Sequence, residues 1–545
     1  MTEALSVAGW HRPSPHIRAE AHYGDRVVGC FADRPASLGQ LLDAAIEHWP
    51  DRAAITDEER TLTYAELGRE ADAVAGGLYE QGVRPGDRIV VMLGNSAEFF
   101  VALCAALRLG AIIVPVNVRE QAAELGRTLV HCQAKAVLVE ADLAERLPPA
   151  GSGRPAVCVA VRGEVDGAQS YGRLLASQAR VATPETSEED VAVILYTSGT
   201  TGLPKGAMLT HLSLTTAAMN YALAAGLDEH DCAAVPAPMS HVTGLTGGLL
   251  AMLLVGGRTL SFREFKATPF LQRIASERAS FMVMVPAMYA LCLLQPDMET
   301  LDLSAWRVGG YGGAPMASSL IETLAERLPQ LRLINSYGST ETSGPQVLGR
   351  PETALQKADC IGLPAPGVEM LIMNEQGKAS PPGEIGEIWL RSASVSCGYW
   401  NDPKATAAEF VSGFWRSGDL GYVDADGYLK LLDRKKDMIN RGGYKIYSAE
   451  VENVLLAYPG VVEAAAVPYP CPVLGERVHV FVSTRDADLQ EEALREYCKQ
   501  HLADFKVPDR FTLQSEPLPR NANGKVLKRQ LADRAKQDNS GKLAG

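Results

Sequence analysis

Residues 195–211 read Leu195-Tyr196-Thr197-Ser198-Gly199-Thr200-Thr201-Gly202-Leu203-Pro204-Lys205-Gly206-Ala207-Met208-Leu209-Thr210-His211. The apolar run 191–196 leading into it predicts a buried strand. That strand breaks into hydroxyls (Thr197, Ser198, Thr200, Thr201), glycines (Gly199, Gly202, Gly206) and one lysine, Lys205. Glycines let backbone N–H groups approach an anion closely, hydroxyls add donors, and the lysine adds positive charge. The combination predicts a cradle for a polyphosphate. It is not a Walker A loop, because Pro204 precedes the lysine and Gly206 stands where that motif has Ser or Thr. A polar surface turn is the plain alternative, and the stretches around it weigh against that.

Downstream, Asn335-Ser336-Tyr337-Gly338-Ser339-Thr340-Glu341-Thr342 follows an apolar strand signal at 332–335. Its polar side chains are expected at a strand's carboxyl end, the usual ligand crevice of α/β sheets. One glutamate there suffices for magnesium, which takes one or two carboxylates plus phosphate oxygens. Ser417-Gly418-Asp419-Leu420-Gly421-Tyr422 places a single carboxylate in what reads as a tight turn, where an aspartate bonding its own backbone is the rival reading. The run Asp433-Arg434-Lys435-Lys436-Asp437 lies between apolar segments and reads as a solvated boundary. The polar loop 519–526 carries one lysine, Lys525, beside an Asn-Gly pair that favours a turn.

Taken together and in this order, from about 62 to about 531, these motifs resemble those of the adenylate-forming superfamily: acyl- and aryl-CoA ligases, adenylation domains of peptide synthetases, and luciferases. The resemblance implies an ATP-dependent acid–CoA ligase with Mg²⁺ and coenzyme A, working through an acyl-AMP intermediate. It implies that residues 197–205 hold the pyrophosphate moiety, that Gly312, Gly313, Ala314 and Pro315 line adenine and the acyl pocket, and that Asn335, Tyr337 and Gly338 border the nucleotide, with Tyr337 against adenine. It further implies that Thr340 contacts the α-phosphate, Glu341 binds Mg²⁺, Asp419 and Arg434 take the ribose, and Lys436 is the hinge pivot. Lys525 would reach both the carboxylate and the α-phosphate. Arg441, Gly442, Gly443 and Tyr444 would meet the pantetheine arm, where paired glycines allow close backbone approach. Pro238-Met239-Ser240-His241-Val242-Thr243-Gly244 matches the segment bordering the carboxylate and the thiol's approach. His241 there is either catalytic or a buried histidine satisfied by a backbone group, and His241, Val242, Gly244 and Tyr311 are expected at the acyl pocket. No aspartate stands in this segment to pair with an amino acid's ammonium group, which points to an uncharged fatty, alicyclic or aryl body.

At 545 residues the chain exceeds one core, and 46 % hydrophobic with 21 % charged residues describes an ordinary globular protein. A net charge of −13 disfavours a nucleic-acid partner. Ten cysteines without Cys-x-x-Cys spacing argue against structural zinc and a disulfide framework. Glu3, His11 and Arg12 interrupt the N-terminal apolar patch, so no secretion signal is expected. The apolar stretch 99–118 holds Arg108, Gly110 and Pro115 and predicts a buried helix followed by a core strand, not an integral membrane segment. A cytoplasmic location follows as the expectation, and the resemblance adds a homodimer without any residue pattern that marks one.

Alternating helix and strand patterns predict an α/β fold: an irregular lead-in over 1–38, a large multi-layered α/β N-terminal domain over 39–432, a hinge at 433–437, and a small mobile α+β C-terminal domain over 438–545. Helices are expected from Leu62 to about Gln81 and from near Ala97, and strands at 88–92, 136–140, 281–285, 384–390, 461–467 and 477–483. A helix is expected over 489–502. Two other readings stay open: a stand-alone enzyme loading the phosphopantetheine of a carrier protein, and a non-catalytic nucleotide-binding homologue of the same fold.

Overall fold

The apolar run ahead of the phosphate-loop motif forms the strand Val191–Thr197, with Ala192, Val193, Ile194 and Leu195 at most 3 % exposed. It turns back into the antiparallel strand Lys205–Thr210, in which Thr197 pairs with Lys205 and Tyr196 with Gly206. The computed structural model describes residues 15–182, 184–197, 204–520 and 526–540. Contacts divide the chain into two bodies, Met1–Met370 with Leu390–Arg416 and Leu371–Trp389 with Ser417–Gly545.

In the first body this hairpin edges a seven-stranded sheet that continues through Ile112–Pro115, Arg88–Met92, Ala136–Glu140, Val157–Val161 and Gln169–Ser170. These inner strands pair in parallel. Ile89, Val90, Val91 and Met92 are all closed to solvent, the continuous apolar burial that a strand covered on both faces requires. The helix Ala97–Leu109 is capped by Ser96, which accepts the Phe99 N–H, and stops at Gly110 with φ 64°. It is buried on nearly every side, which accounts for the apolar stretch that begins at Phe99.

A second, nine-stranded sheet runs Leu363–Pro364, Gly344–Leu348, Arg332–Ser339, Val308–Gly312, Phe281–Met284, Cys232–Val235, Arg258–Ser261, Ala53–Thr56, Thr61–Thr63. Its central strands are parallel, so the segments after Gly312 and after Ser339 leave from the carboxyl ends of neighbouring strands. The expected strand at 332–335 continues to Ser339, so Asn335 to Ser339 are extended and only Thr340–Thr342 turns. Antiparallel pairing with Gly344–Leu348 holds them there. The helix expected from Leu62 begins at Tyr64, because Thr63 caps it reciprocally with Glu66.

The second body contains the strands Ile439–Arg441, Tyr444–Ile446, Val461–Cys471, Gly475–Thr484 and Arg510–Gln514 with the helices Ser448–Leu456, Glu491–His501 and Lys528–Ser540. Ile439, Ile446, Val451, Leu455, Val480 and Leu494 form its core. The motif 417–422 is not a turn: it lies in the strand Phe414–Val423, where Gly418 at φ 69° produces the turn-like composition. The charge run at 433–437 does not mark where contacts thin. Tyr422 pairs with Lys430, and Asp433 accepts both the N–H and the hydroxyl of Ser448, which ties 417–437 into this body. The contact division therefore falls before the charge run. No helix among the described residues is long and apolar enough to cross a membrane.

Candidate active site

Lys205 opens an edge strand, and residues 398–400 lie beside that strand. The Met208 N–H bonds to Gly398 O at 2.9 Å and the Trp400 N–H to Gly206 O at 2.8 Å, with Ala207 bridged to Tyr399. This pairing sets the Tyr399 ring 4.6 Å from Lys205 Nζ. Lys205 is also ion-paired with Glu409, the last residue of the helix Pro403–Glu409. The Tyr399 hydroxyl lies 2.9 Å from Glu341 Oε1 and 2.5 Å from Glu409 Oε2. Burial and then the two carboxylates push its phenol well above the usual range, so it stays protonated. Lys205 and Glu341, 136 positions apart by their numbers, thus belong to one cluster.

The Glu341 turn is held from several sides. Ser339 donates to Glu341 Oε2 at 3.0 Å, and the Ser396 N–H bonds to Glu341 O at 2.8 Å. Ser343, at φ 56°, donates to Ser213 and receives the Thr246 hydroxyl on its carbonyl. Gly338 is required there, since a Cβ would fall 2.1 Å from Gly344 O. Thr340, Tyr337 and Glu341 remain partly exposed. Gly312 pairs with Ser336, so the exposed segment Gly313, Ala314, Pro315 leaves beside the strand that carries Tyr337. The Asn335 amide donates to Cys360 O at 3.2 Å. Gly206 serves packing more than anion approach, because a Cβ there would meet Ile194 at 2.8 Å and the Tyr196 ring at 3.3 Å.

His241 precedes a π-helix, Thr243–Leu250, a conformation that recurs at functional sites. Its Nδ1 accepts the Thr243 N–H at 3.3 Å, and burial lowers its pKa, so the imidazole is neutral with its proton on Nε2. A backbone group therefore satisfies it. The π-helix and the ends of Cys232–Val235 and Phe281–Met284 border a small, partly open recess lined by Ala233, Ala234, Val235, Ala237, Thr243, Gly244, Gly247, Gly248, Phe281 and Val283. None of these carries charge. Of the residues expected at an acyl pocket, Gly244 lines this recess, while His241, Val242 and Gly312 are not among its lining. Tyr311 is packed into the core with Met284 and Met316, and burial raises its phenol to about 12. Asn95 is a support the sequence reading missed: its amide donates to Val235 O and Ala237 O and accepts the Met239 N–H, fixing the segment before His241.

In the second body Asp419 and Arg434 face each other across paired strands, Asp419 Oδ1 lying 3.2 Å from Arg434 Nε. Lys436 is exposed in the turn that follows. Gly442 (φ 60°) and Gly443 (φ 92°) form the two-residue turn of a hairpin, a type I′ geometry that demands positive φ at both positions. Turn geometry thus accounts for this glycine pair. Arg441 is a tie within the body, donating to Phe505 O at 2.8 Å and to Asp509 at 2.9 Å, and it is not presented as an open cation. Tyr444 stacks on Phe505 and stays 59 % exposed. Ser198, Gly199, Thr200, Thr201 and Lys525 lie outside the described residues.

The donor set fits magnesium at Glu341, a partly exposed carboxylate oriented by Ser339 and Tyr399. Among the described residues one other group, Glu20, His22 and Cys30, comes within metal-binding reach of one another. There Arg34 already donates to both oxygens of Glu20 and burial raises the Cys30 thiol to about 11, so the set is closed by an ion pair.

Residues 42–400 match the family model described as AMP-binding enzyme, and 450–525 match the AMP-binding enzyme C-terminal domain. The chain belongs to the AMP-binding enzyme family. It is 35 % identical to a feruloyl-CoA synthase of Amycolatopsis over 89 % of this chain and 96 % of that one. It is 33 % identical to the fatty acid–[acyl-carrier-protein] ligase ScoC of Streptomyces coeruleorubidus, over 93 % of this chain and 98 % of that one. Its fold matches the o-succinylbenzoate CoA synthetase of Bacillus subtilis, solved with the acyl-adenylate OSB-AMP, with a TM-score of 0.80, 29 % identity and coverage of 90 % and 97 %. This AMP-binding enzyme therefore has the acyl-CoA synthetase fold, a large N-terminal domain and a small C-terminal one.

Proposed function

We propose that this AMP-binding enzyme is an ATP-, Mg²⁺- and CoA-dependent acid–CoA ligase for a carboxylic acid with an uncharged fatty, alicyclic or aryl body. The observation that carries this is the joining of Lys205 and Glu341 through Tyr399 and Glu409, in the same body as an apolar recess that holds no charge. The relatives named above are named for a feruloyl, a fatty-acid and an o-succinylbenzoate substrate, so the carbon skeleton differs among proteins similar to this one.

In the first half-reaction a carboxylate oxygen attacks the α-phosphorus of ATP, and the bond to pyrophosphate breaks. Lys205 and the 197–205 loop hold the departing phosphates, Thr340 and Lys525 meet the charge at the α-phosphorus, Tyr337 and residues 313–315 border adenine, and Asp419 with Arg434 holds the ribose. Glu341 would hold a magnesium ion, which would supply neutralisation of phosphate charge. In the second, the CoA sulfur attacks the acyl carbon, the thiol loses its proton, and the bond to AMP breaks. We assign Lys436 as the pivot that withdraws Lys525 and brings the Gly442–Gly443 turn with Tyr444 to the thiol, a movement in which Asp433 gives up its bonds to Ser448.

The test is a panel of carboxylic acids assayed for AMP release with ATP and with or without CoA. Formation of acyl-CoA with an apolar acid supports the reading. AMP formation with no acyl-CoA product favours a carrier protein as acceptor, the chemistry named for ScoC. Pyrophosphate exchange at background with every acid overturns it.

A further inference from the structure

We propose that Glu409 is the exchange counter-ion of Lys205: it holds the lysine when no phosphate is bound, yields it to the polyphosphate, and takes it back as pyrophosphate leaves. The inference rests on reading Lys205 as a phosphate ligand.

Glu409 ends the helix Pro403–Glu409, whose last turn carries no basic residue. A carboxylate at that end opposes the helix dipole, so its position is favourable only through a partner from elsewhere. That partner is Lys205, which reaches it across the Tyr399 ring. The pair is not sealed: the Lys205 side chain is 13 % and the Glu409 side chain 33 % exposed. An ion pair this close to solvent is weak enough for a multiply charged phosphate to displace.

Tyr399 extends the exchange to the metal-binding carboxylate. Its hydroxyl has one hydrogen and two carboxylate neighbours, Glu341 Oε1 and Glu409 Oε2, so it satisfies one of them at a time. While Lys205 satisfies Glu409, the hydroxyl is available to Glu341. Once Lys205 turns to phosphate, Glu409 becomes the needier acceptor, the hydroxyl turns to it, and Glu341 is released for magnesium. The cluster thereby links arrival of the polyphosphate at Lys205 to readiness of Glu341.

The experiment is calorimetric binding of pyrophosphate with Mg²⁺ to the full chain, comparing the wild type with Glu409→Gln, Glu409→Ala, Lys205→Gln and the double variant Lys205→Gln/Glu409→Gln. Both Glu409 variants are expected to bind pyrophosphate about two- to fivefold more tightly, the size of one solvent-near ion pair no longer competing, and to show stronger product inhibition. Lys205→Gln should weaken binding, and the double variant should match it, because Glu409 acts through Lys205. Unchanged or weaker binding in both Glu409 variants overturns the proposal, as does a gain that persists without Lys205. A Lys205→Gln variant that binds like the wild type removes the phosphate-loop reading itself. A purely structural Glu409 would lower the melting temperature and leave these affinities in place.

Discussion

In the large body Lys205, Tyr399, Glu409 and Glu341 form one charged cluster; in the second body Asp433, Ser448, Lys528 and Glu452 form another. The second is closed. Lys528 donates to Ser448 Oγ at 2.7 Å and pairs with Glu452 at 2.7 Å, Glu452 also takes the Ala466 N–H, and Asp433 takes the Ser448 N–H and hydroxyl. The first is short of donors, with one phenol between two carboxylates and one ammonium serving Glu409. A cluster whose ammonium, hydroxyl and carboxylates bond one another holds local structure together, and one that shares a single hydroxyl hydrogen between two carboxylates leaves room for ligand charge. Lys528 also opens the helix Lys528–Ser540, so the closed cluster fixes the start of that helix.

The sharpest way to separate the two bodies is Lys525→Ala. Adenylation is expected to fall by about 10²–10³, the cost of losing one preorganised charge donor, while thioester formation from preformed acyl-AMP is retained. Equal loss in both half-reactions breaks the division of labour. Next, Glu341→Gln should reduce pyrophosphate exchange by roughly 10² and raise the magnesium concentration needed for half-maximal rate. A loss that leaves the magnesium dependence unmoved speaks against a metal-binding role. Lys528→Met leaves Glu452 enclosed and unpaired, and it should destabilise the second body by about 2 kcal/mol, read as an earlier transition in chemical denaturation.

The smallest effect is shared by both bodies. Burial lowers His211 in the large body and His479 in the second to about 4, from the usual 6.5. The unfolded chain protonates first, so their stabilising contribution is full above pH 6.5 and declines as pH falls towards 4. At pH 5.5 each body should lose about 1.4 kcal/mol, and substitution of His479 by Phe should flatten the profile of the second body alone.

Much of this comparison was legible in the sequence. Runs such as 88–92 and 136–140 are apolar throughout, and they fold as the strands Arg88–Met92 and Ala136–Glu140. Lys205 and Glu341 were visible because each stands in a dense local motif. Tyr399 and Glu409 were not: they reach Lys205 through an added strand pairing about 200 residues away, and nothing in 397–410 marks it except a Gly-Tyr-Trp between polar neighbours. Asp419 was misplaced in a turn because Ser-Gly-Asp composition mimics one, whereas a single left-handed glycine inside a strand satisfies the same residues. Arg441 was expected with Gly442, Gly443 and Tyr444 at the pantetheine arm, and its tie to Asp509, 68 positions away, has no local sequence signal.

The central claim is that Lys205 and Glu341 act on one polyphosphate. Its most direct test is a crystal structure of the full chain with Mg²⁺ and the non-hydrolysable α,β-methylene analogue of ATP. The account predicts Lys205 turned from Glu409 onto the terminal phosphates, with Glu341 ligating the bound metal. Lys205 still paired with Glu409 while the phosphates lie elsewhere, or a metal held without Glu341, would contradict it.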